Sequence, residues 1–196
     1  MKSQRQWLWR VGLLVLLVDQ LSKVAIKLSF PLGYEEPLLG QWLKLHFVEN
    51  PGAAFGLSLS GLFPEEGAMG FWPRLLLTFL ALFVTIGIGY YLWRLSKSEP
   101  GYGLPAGLIL GGAVGNLMDR IFYGVVFAGR NDYPGGWFQG HVVDFIYIDL
   151  WQGYVPTWVP IWGGEYMALW PIFNVADSAI SVGVVWLLIR QFRVSS

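Results

Sequence analysis

The sequence predicts a membrane α-helical protein: a four-transmembrane-helix bundle, N-in/C-in, with a small extracytoplasmic β-rich loop domain on the membrane surface. Three observations predict it. Hydrophobic residues make up 55% of the chain and charged ones only 13%, against about 25% charged in a soluble domain. Four apolar runs approach the roughly 20 residues needed to cross a bilayer. Lys and Arg gather on one side of those runs. The 196 residues are expected to form a single integral membrane domain.

The first run, Trp7 to about Leu28, follows Lys2, Arg5 and Arg10 and starts like a secretory signal peptide. No small-x-small cleavage site follows, so it reads as a retained span. It is interrupted by Asp19-Gln20-Leu21-Ser22-Lys23, where Asp19 and Lys23 stand four apart and can pair on one helical face. Residues 29–70 form a turn-rich loop, within which Trp42 to Val48 alternates like a strand leading into Asn50-Pro51-Gly52.

Phe71 to Trp93 is the second span, closed by Arg94, Lys97 and a turn at Glu99-Pro100-Gly101. Tyr102 to about Ile121 is a third, rich in glycine; Gly111 and Gly115 make a small-xxx-small pair that admits another backbone. It ends in Asn116-Leu117-Met118-Asp119-Arg120, with Asn116, Asp119 and Arg120 at i, i+3 and i+4. Residues 122–171 form the second long loop, in which Asp144 lies and tryptophans suggest the headgroup level. Ile172 to about Phe192 is the fourth span.

Lys2, Arg5, Arg10, Arg94, Lys97, Arg190 and Arg193 flank one side, while the long loops hold only Lys44, Arg74 and Arg130. Both termini are therefore expected in the cytoplasm and both long loops outside. Asp19, Asn116, Asp119, Asn174 and Asp177 then lie at one depth, the outer leaflet. An ionisable group inside a span costs roughly 2.5–3.5 kcal/mol at mid-bilayer and so marks a functional site by default. Asp177 lacks a local cation; Asn174, three residues earlier, is expected on the same helical face.

Composition excludes much else. Zero net charge gives nucleic acid no foothold, and the absence of Cys removes disulfides, thiolate metal sites and a cysteine nucleophile. Two histidines make a His-rich metal centre implausible. Two neighbouring carboxylates sharing a proton could activate water for peptide hydrolysis with no metal or cofactor. Asp119 with Arg120, and Asp19 with Lys23, read better as structural pairs that hold the bundle than as functional acids, and a proton-coupled transporter using Asp19, Asp119 and Asp177 stands open beside a protease.

Five motifs in order narrow this choice. Asp19-Gln20-Leu21-Ser22-Lys23, Asn50-Pro51-Gly52-Ala53-Ala54-Phe55, Gly111 to Arg120, Val142-Val143-Asp144-Phe145 and Phe173-Asn174-Val175-Ala176-Asp177-Ser178 together resemble the prokaryotic lipoprotein signal peptidases, signal peptidase II. The resemblance implies a four-span aspartic endopeptidase of the bacterial inner membrane. It would cleave diacylglyceryl-modified prolipoproteins near the extracytoplasmic face, without a cofactor, amid membrane lipid. It implies Asp144 and Asp177 as the catalytic pair, with support from Asn50, Gly52, Asn116, Asp119, Arg120, Asn174 and Ala176, and a structural role for Asp19 and Lys23. Peptide antibiotics that inhibit the family are implied as further partners. Gly124 to Gly140 and Gly153 to Leu169 depart from the family pattern as insertions, and are expected to form an aromatic lid over the pair.

Overall fold

The computed structural model describes residues 2–52, 70–98, 101–160, 163–164 and 166–195. Four long helices dominate: α1 (Lys2–Ser29), α2 (Phe71–Ser98), α3 (Gly103–Met118) and, after a three-residue turn α4 (Gly124–Val126), α5 (Val175–Ser195). Between them lie β1 (Glu35–Leu39), β2 (Leu43–Asn50), β3 (Val142–Ile148), β4 (Gln152–Tyr154) and β5 (Tyr166–Ala168). Ala53 to Phe55, the end of one quoted motif, and the turn residues Glu99 and Pro100 lie outside the described residues.

Residues 71–97 and 175–192 are long and apolar enough to cross a membrane, with mean hydropathies of 2.1 and 1.4. In α1 the polar residues Asp19, Lys23 and Lys27 are all buried inward, whereas Leu13, Leu14 and Leu21 point out. Phe83 and Ile86 on α2 and Val182, Val185 and Phe192 on α5 are likewise exposed. Apolar surface turned outward around buried ions is the arrangement of a protein dissolved in lipid, and far exceeds what a water-soluble monomer tolerates.

Helix α3 is the axis against which α1 and α5 pack, and glycine sets the distances. A Cβ built on Gly107 would lie 2.7 Å from the Leu8 carbonyl oxygen, and one on Gly111 2.5 Å from that of Gly12. On another face, a Cβ on Gly112 would lie 2.4 Å from the carbonyl oxygen of Ala176 in α5. The glycines of α3 thus serve two interfaces, Gly107 and Gly111 toward α1 and Gly112 toward α5.

Several boundaries move from where the sequence puts them. The third helix does not stop near Ile121 but runs on through a π-helical turn, Asp119–Tyr123, into α4. Asp144 is in a strand rather than a loop: β1, β2 and β3 form an antiparallel sheet in that order. The seven-residue β3 takes its partner from a segment far away in sequence, which short-range pattern does not reveal. Arg74 belongs to α2, not to a loop. Helix α5 begins at Val175; Ile172 and Phe173 are extended, and Phe173 pairs with Ile146 of β3.

The insertion at 124–140 is a strut instead of a lid. Thr78 Oγ1 donates to the Phe138 carbonyl at 2.9 Å, Arg74 Nη1 to that of Pro134 at 3.2 Å, and the Phe138 ring stacks on Phe79 at 5.5 Å. These contacts tie the segment after α4 back to the start of α2. The second insertion forms the β4–β5 pair and leaves Trp158 80% exposed.

Gly111→Ala should lower the thermal midpoint of the purified protein in detergent, corresponding to roughly 1–3 kcal/mol of overpacking. Gly87→Ala, on a face with nothing within 4 Å, should leave it unchanged or slightly raised.

Candidate active site

The polar centre is built around Lys23, which is fully buried. Its ammonium lies 2.9 Å from Asp19 Oδ2 and 2.8 Å from Asp119 Oδ2, and donates to Asn116 Oδ1 at 2.9 Å. The three ammonium donors are thereby all used. The expected Asp19–Lys23 pair is present, but Asp119 pairs with Lys23 across the α1–α3 interface and not with its neighbour Arg120. Gln20, which the sequence reading did not single out, adds hydrogen bonds to Asp119 Oδ1 at 2.9 Å and the Gly115 carbonyl at 3.1 Å. Its place next to Asp19 was the available signal.

Each acid of this cluster holds a different element. Asp19 Oδ1 accepts from the Ala176 backbone N–H at 2.9 Å, satisfying an orphan donor in the first turn of α5, where negative charge also suits the helix dipole. Gly115 makes room, because a Cβ there would sit 2.5 Å from Asp19 Oδ2. Asp119 Oδ2 accepts from the Val143 N–H at 3.2 Å and so anchors β3. One ion cluster therefore locates both the strand carrying Asp144 and the helix carrying Asp177.

Asn174 is not on the face of α5 with Asp177; it caps the helix. Its Oδ1 accepts from the Asp177 N–H at 3.0 Å while its own N–H donates to Asp177 Oδ2 at 3.2 Å, a reciprocal capping box with Asn and Asp in place of Ser and Glu. The same Asn174 donates through Nδ2 to Asp144 Oδ1 at 2.6 Å. It thus touches both carboxylates. Asn116 Nδ2 donates to Asp177 Oδ1 at 2.8 Å, and Asn50 Nδ2 to Asp144 Oδ2 at 3.2 Å. All four carboxylate oxygens accept from amide groups.

The sheet brings Asn50 to Asp144. Val48 faces Asp144 and Asn50 faces Val142, after a register irregularity between Leu45 and Val48. Such bulges re-aim side chains beside functional sites. Asn50 is held in turn by the Gly52 N–H, which donates to its Oδ1 at 2.8 Å. Gly52 has φ +121°, and a Cβ there would meet Leu77 at 2.4 Å, so glycine is required on both grounds.

Asp144 and Asp177 look into one cleft of about 630 Å³. Asn50, Gly52 and Arg120 share it, and its apolar wall comes from Ile148, Leu169 to Phe173, and Ile180 and Val182 of α5. Asp19, Lys23, Asn116, Asp119, Asn174 and Ala176 stand behind this wall rather than along it. Ala176 is buried against Gly112. Of this wall, only Trp170 is among the loop tryptophans that suggest the headgroup level, and the bridge between Phe173 and Ile146 brings its segment to the acids. Burial pushes the Asp144 carboxyl up to about 7, with the nearby Asp177 charge acting in the same direction and the amides of Asn50 and Asn174 opposing. His141 is no rival as a base: it is stacked on Tyr133 at 3.6 Å, and burial drives it down to about 3.

Chemically, two carboxylates lining one largely apolar cleft suit attack of water on a carbonyl presented from an apolar chain. Comparison with known proteins points the same way. A family model described as signal peptidase (SPase) II matches residues 11–193. A lipoprotein signal peptidase of Porphyromonas gingivalis is 36% identical over 200 residues, covering 93% of this chain and 81% of its own. One from Amoebophilus asiaticus is 37% identical, covering 96% and 79%. A bacterial membrane enzyme solved by the in meso method superposes with TM-score 0.61 at 25% identity, covering 95% of this chain and 88% of that one.

Lys23→Met should destabilise the protein by about 3–5 kcal/mol, since two buried carboxylates lose their cation. Adding Asp19→Asn and Asp119→Asn should recover part of that loss in the same equilibrium unfolding measurement; a triple variant no more stable than Lys23→Met would contradict the ion-cluster account.

Proposed function

The chain belongs to the signal peptidase II family, and from that premise we propose that it is a membrane aspartic endopeptidase that removes signal peptides from diacylglyceryl-modified prolipoproteins, with Asp144 and Asp177 as its catalytic pair. The observation that carries this assignment is the bridging, by the buried Asn174, of two carboxylates that both line one cleft. Asp19 and Asp119, the other acids at this depth, are taken up by Lys23 and by backbone N–H groups. They have structural work that leaves no transport relay, and family membership sets the transporter reading aside.

In the proposed topology α1, α2, α3 and α5 span the bilayer with both termini inside. The sheet then sits on the extracytoplasmic surface, and the pair lies near that face. The substrate's apolar signal helix enters sideways along α5, past Ile180, Ser181 and Val182, which line the cleft from the lipid side. Its scissile carbonyl comes to rest at the level of the pair, where Asn50 and Arg120 meet the substrate backbone.

Proton bookkeeping follows from the raised Asp144. Below about pH 7 Asp144 carries the proton, and Asp177 takes a proton from the attacking water. The hydroxide equivalent adds to the scissile carbon while Asp144 protonates the carbonyl oxygen. The gem-diol intermediate collapses as Asp177 passes its proton to the leaving amine nitrogen, the C–N bond breaks, and a hydroxyl proton of the intermediate returns to Asp144. The positive Arg120 in the cleft stabilises the negative charge that develops at the carbonyl oxygen as water adds. Asn116 and Asn174 hold the carboxylates still, which is where preorganisation resides.

Asp144→Asn and Asp177→Asn should each abolish release of the signal peptide from a lipidated prolipoprotein while substrate binding persists. Near-normal cleavage by purified Asp144→Asn would sink the assignment.

The pH profile offers a second check. Because Asp144 must carry the proton, kcat/KM should fall as pH rises through about 7, approaching tenfold per pH unit. A profile level from pH 6 to 9 would contradict that role.

A further inference from the structure

On a side of the bundle that neither α5 nor β3 lines, α1, α2 and α3 leave a groove of about 720 Å³ open to the outside. Leu8, Leu16, Ile86, Leu110 and Leu117 are among its walls, and its lining is almost wholly apolar. Gly12, Gly89 and Gly111 contribute no side chains, which keeps it deep. Along α1 it runs from Leu8 to Leu16, about 12 Å at the helical rise. That is close to the ~15 Å of hydrocarbon in one leaflet.

The groove is not closed by an apolar cap at its end. Tyr90 and Trp93, which line it, also line an adjoining pocket of about 620 Å³ shared with Arg94 and Lys97. Lys97 Nζ sits 3.3 Å from the centre of the Trp93 ring, and the Arg5 guanidinium approaches the same ring from α1 at 5.9 Å. Arg94 lies 5.9 Å from the Tyr90 ring. Residues 2–18 and 79–118 carry Lys2, Arg5, Arg10, Arg94 and Lys97 against a single carboxylate, Glu99, so the net charge of these segments is positive. An apolar slot one leaflet long, ending in three cations presented on aromatic rings, matches an amphiphile with apolar tails and a negative head.

The geometry points to a binding site for an anionic glycerophospholipid, one acyl chain lying in the α1–α2–α3 groove and its phosphodiester headgroup against Arg5, Arg94 and Lys97. This rests on the membrane-spanning reading of α1, α2 and α3. The site is separate from the substrate path, which follows α5. A signal helix would carry no anion to this end, and a second copy of this chain would set cation against cation. Charge complementarity therefore selects lipid. By filling the gap between α1 and α2, the bound lipid would brace two helices whose direct contact includes Arg5 against the Trp93 ring.

The test uses the full-length protein, delipidated in neutral detergent and titrated with phosphatidylglycerol or with phosphatidylcholine of identical tails. Native mass spectrometry reads stoichiometry, and thermal melting reads stabilisation. One phosphatidylglycerol should bind about tenfold more tightly than phosphatidylcholine and raise the melting temperature. The Arg94→Gln/Lys97→Gln variant should lose that preference, and Gly89→Leu, which fills the slot, should lose binding of both lipids; each should still cleave prolipoprotein, showing that it is folded. Equal binding of the two lipids, a preference that survives Arg94→Gln/Lys97→Gln, undiminished binding to Gly89→Leu, or a dimer in place of a lipid adduct would each overturn the proposal.

Discussion

Everything in this bundle leans on one ammonium group. Lys23 is held by Asp19, Asp119 and Asn116, and through them it fixes the first turn of α5, the start of β3 and the amide that reaches Asp177. The desolvation of three ions is a large cost, offset only because each has several well-placed partners. That cost is also what makes the arrangement specific. No sliding of α1 against α3 by a turn keeps the cluster satisfied, so the ion network sets the register that apolar packing in lipid leaves loose. The glycines of α3 then allow the approach that the short ion distances demand.

A second buried pair extends the same stripe of α1. Lys27, one turn beyond Lys23, pairs with Glu49 on β2 and lies 5.2 Å from the Phe127 ring. Where Lys23 joins helix to helix, Lys27 joins helix to sheet. Around it Ile26, Phe47, Tyr123, Phe127 and Val143 form a small apolar core. The sheet is thus not an appendage resting on the bundle but is ionically and hydrophobically sewn to α1 and to the π-helical turn.

How much of this could be read from the chain alone depended on the range of the interaction. Asp19 and Lys23 are one helical turn apart, and their pairing was legible. Asp119 has Arg120 as its nearest cation in sequence, yet it bonds to Lys23 on another helix, because facing positions of α1 and α3 meet only after docking. The seven residues of β3 pair with β2, about ninety positions earlier, so Asp144 looked like a loop residue until that pairing was known. Asn174 is more instructive still. Its spacing from Asp177 fits a shared helical face and a capping box equally well, and the Pro171 just upstream, together with the required extended bridge at Phe173, decides for the cap. The cleft was the least legible feature, since its apolar wall is assembled from a strand, a loop and a helix face, and looks in sequence like membrane-facing hydrophobicity.

The capping box has a consequence for when the protein can become dangerous. Asp177 and its amide partner Asn174 are local, but Asp144 reaches Asn174 only once β3 has paired with both β2 and the Phe173 segment, and Asn116 reaches Asp177 only once α3 has docked. A nascent chain emerging helix by helix therefore carries the two proposed acids as separate, solvated or lipid-shielded groups with no common geometry. On the proposed assignment the pair is complete only when these contacts, distant in sequence, have all closed, so the molecule's topology would itself act as the safety catch that other proteases place in a removable segment.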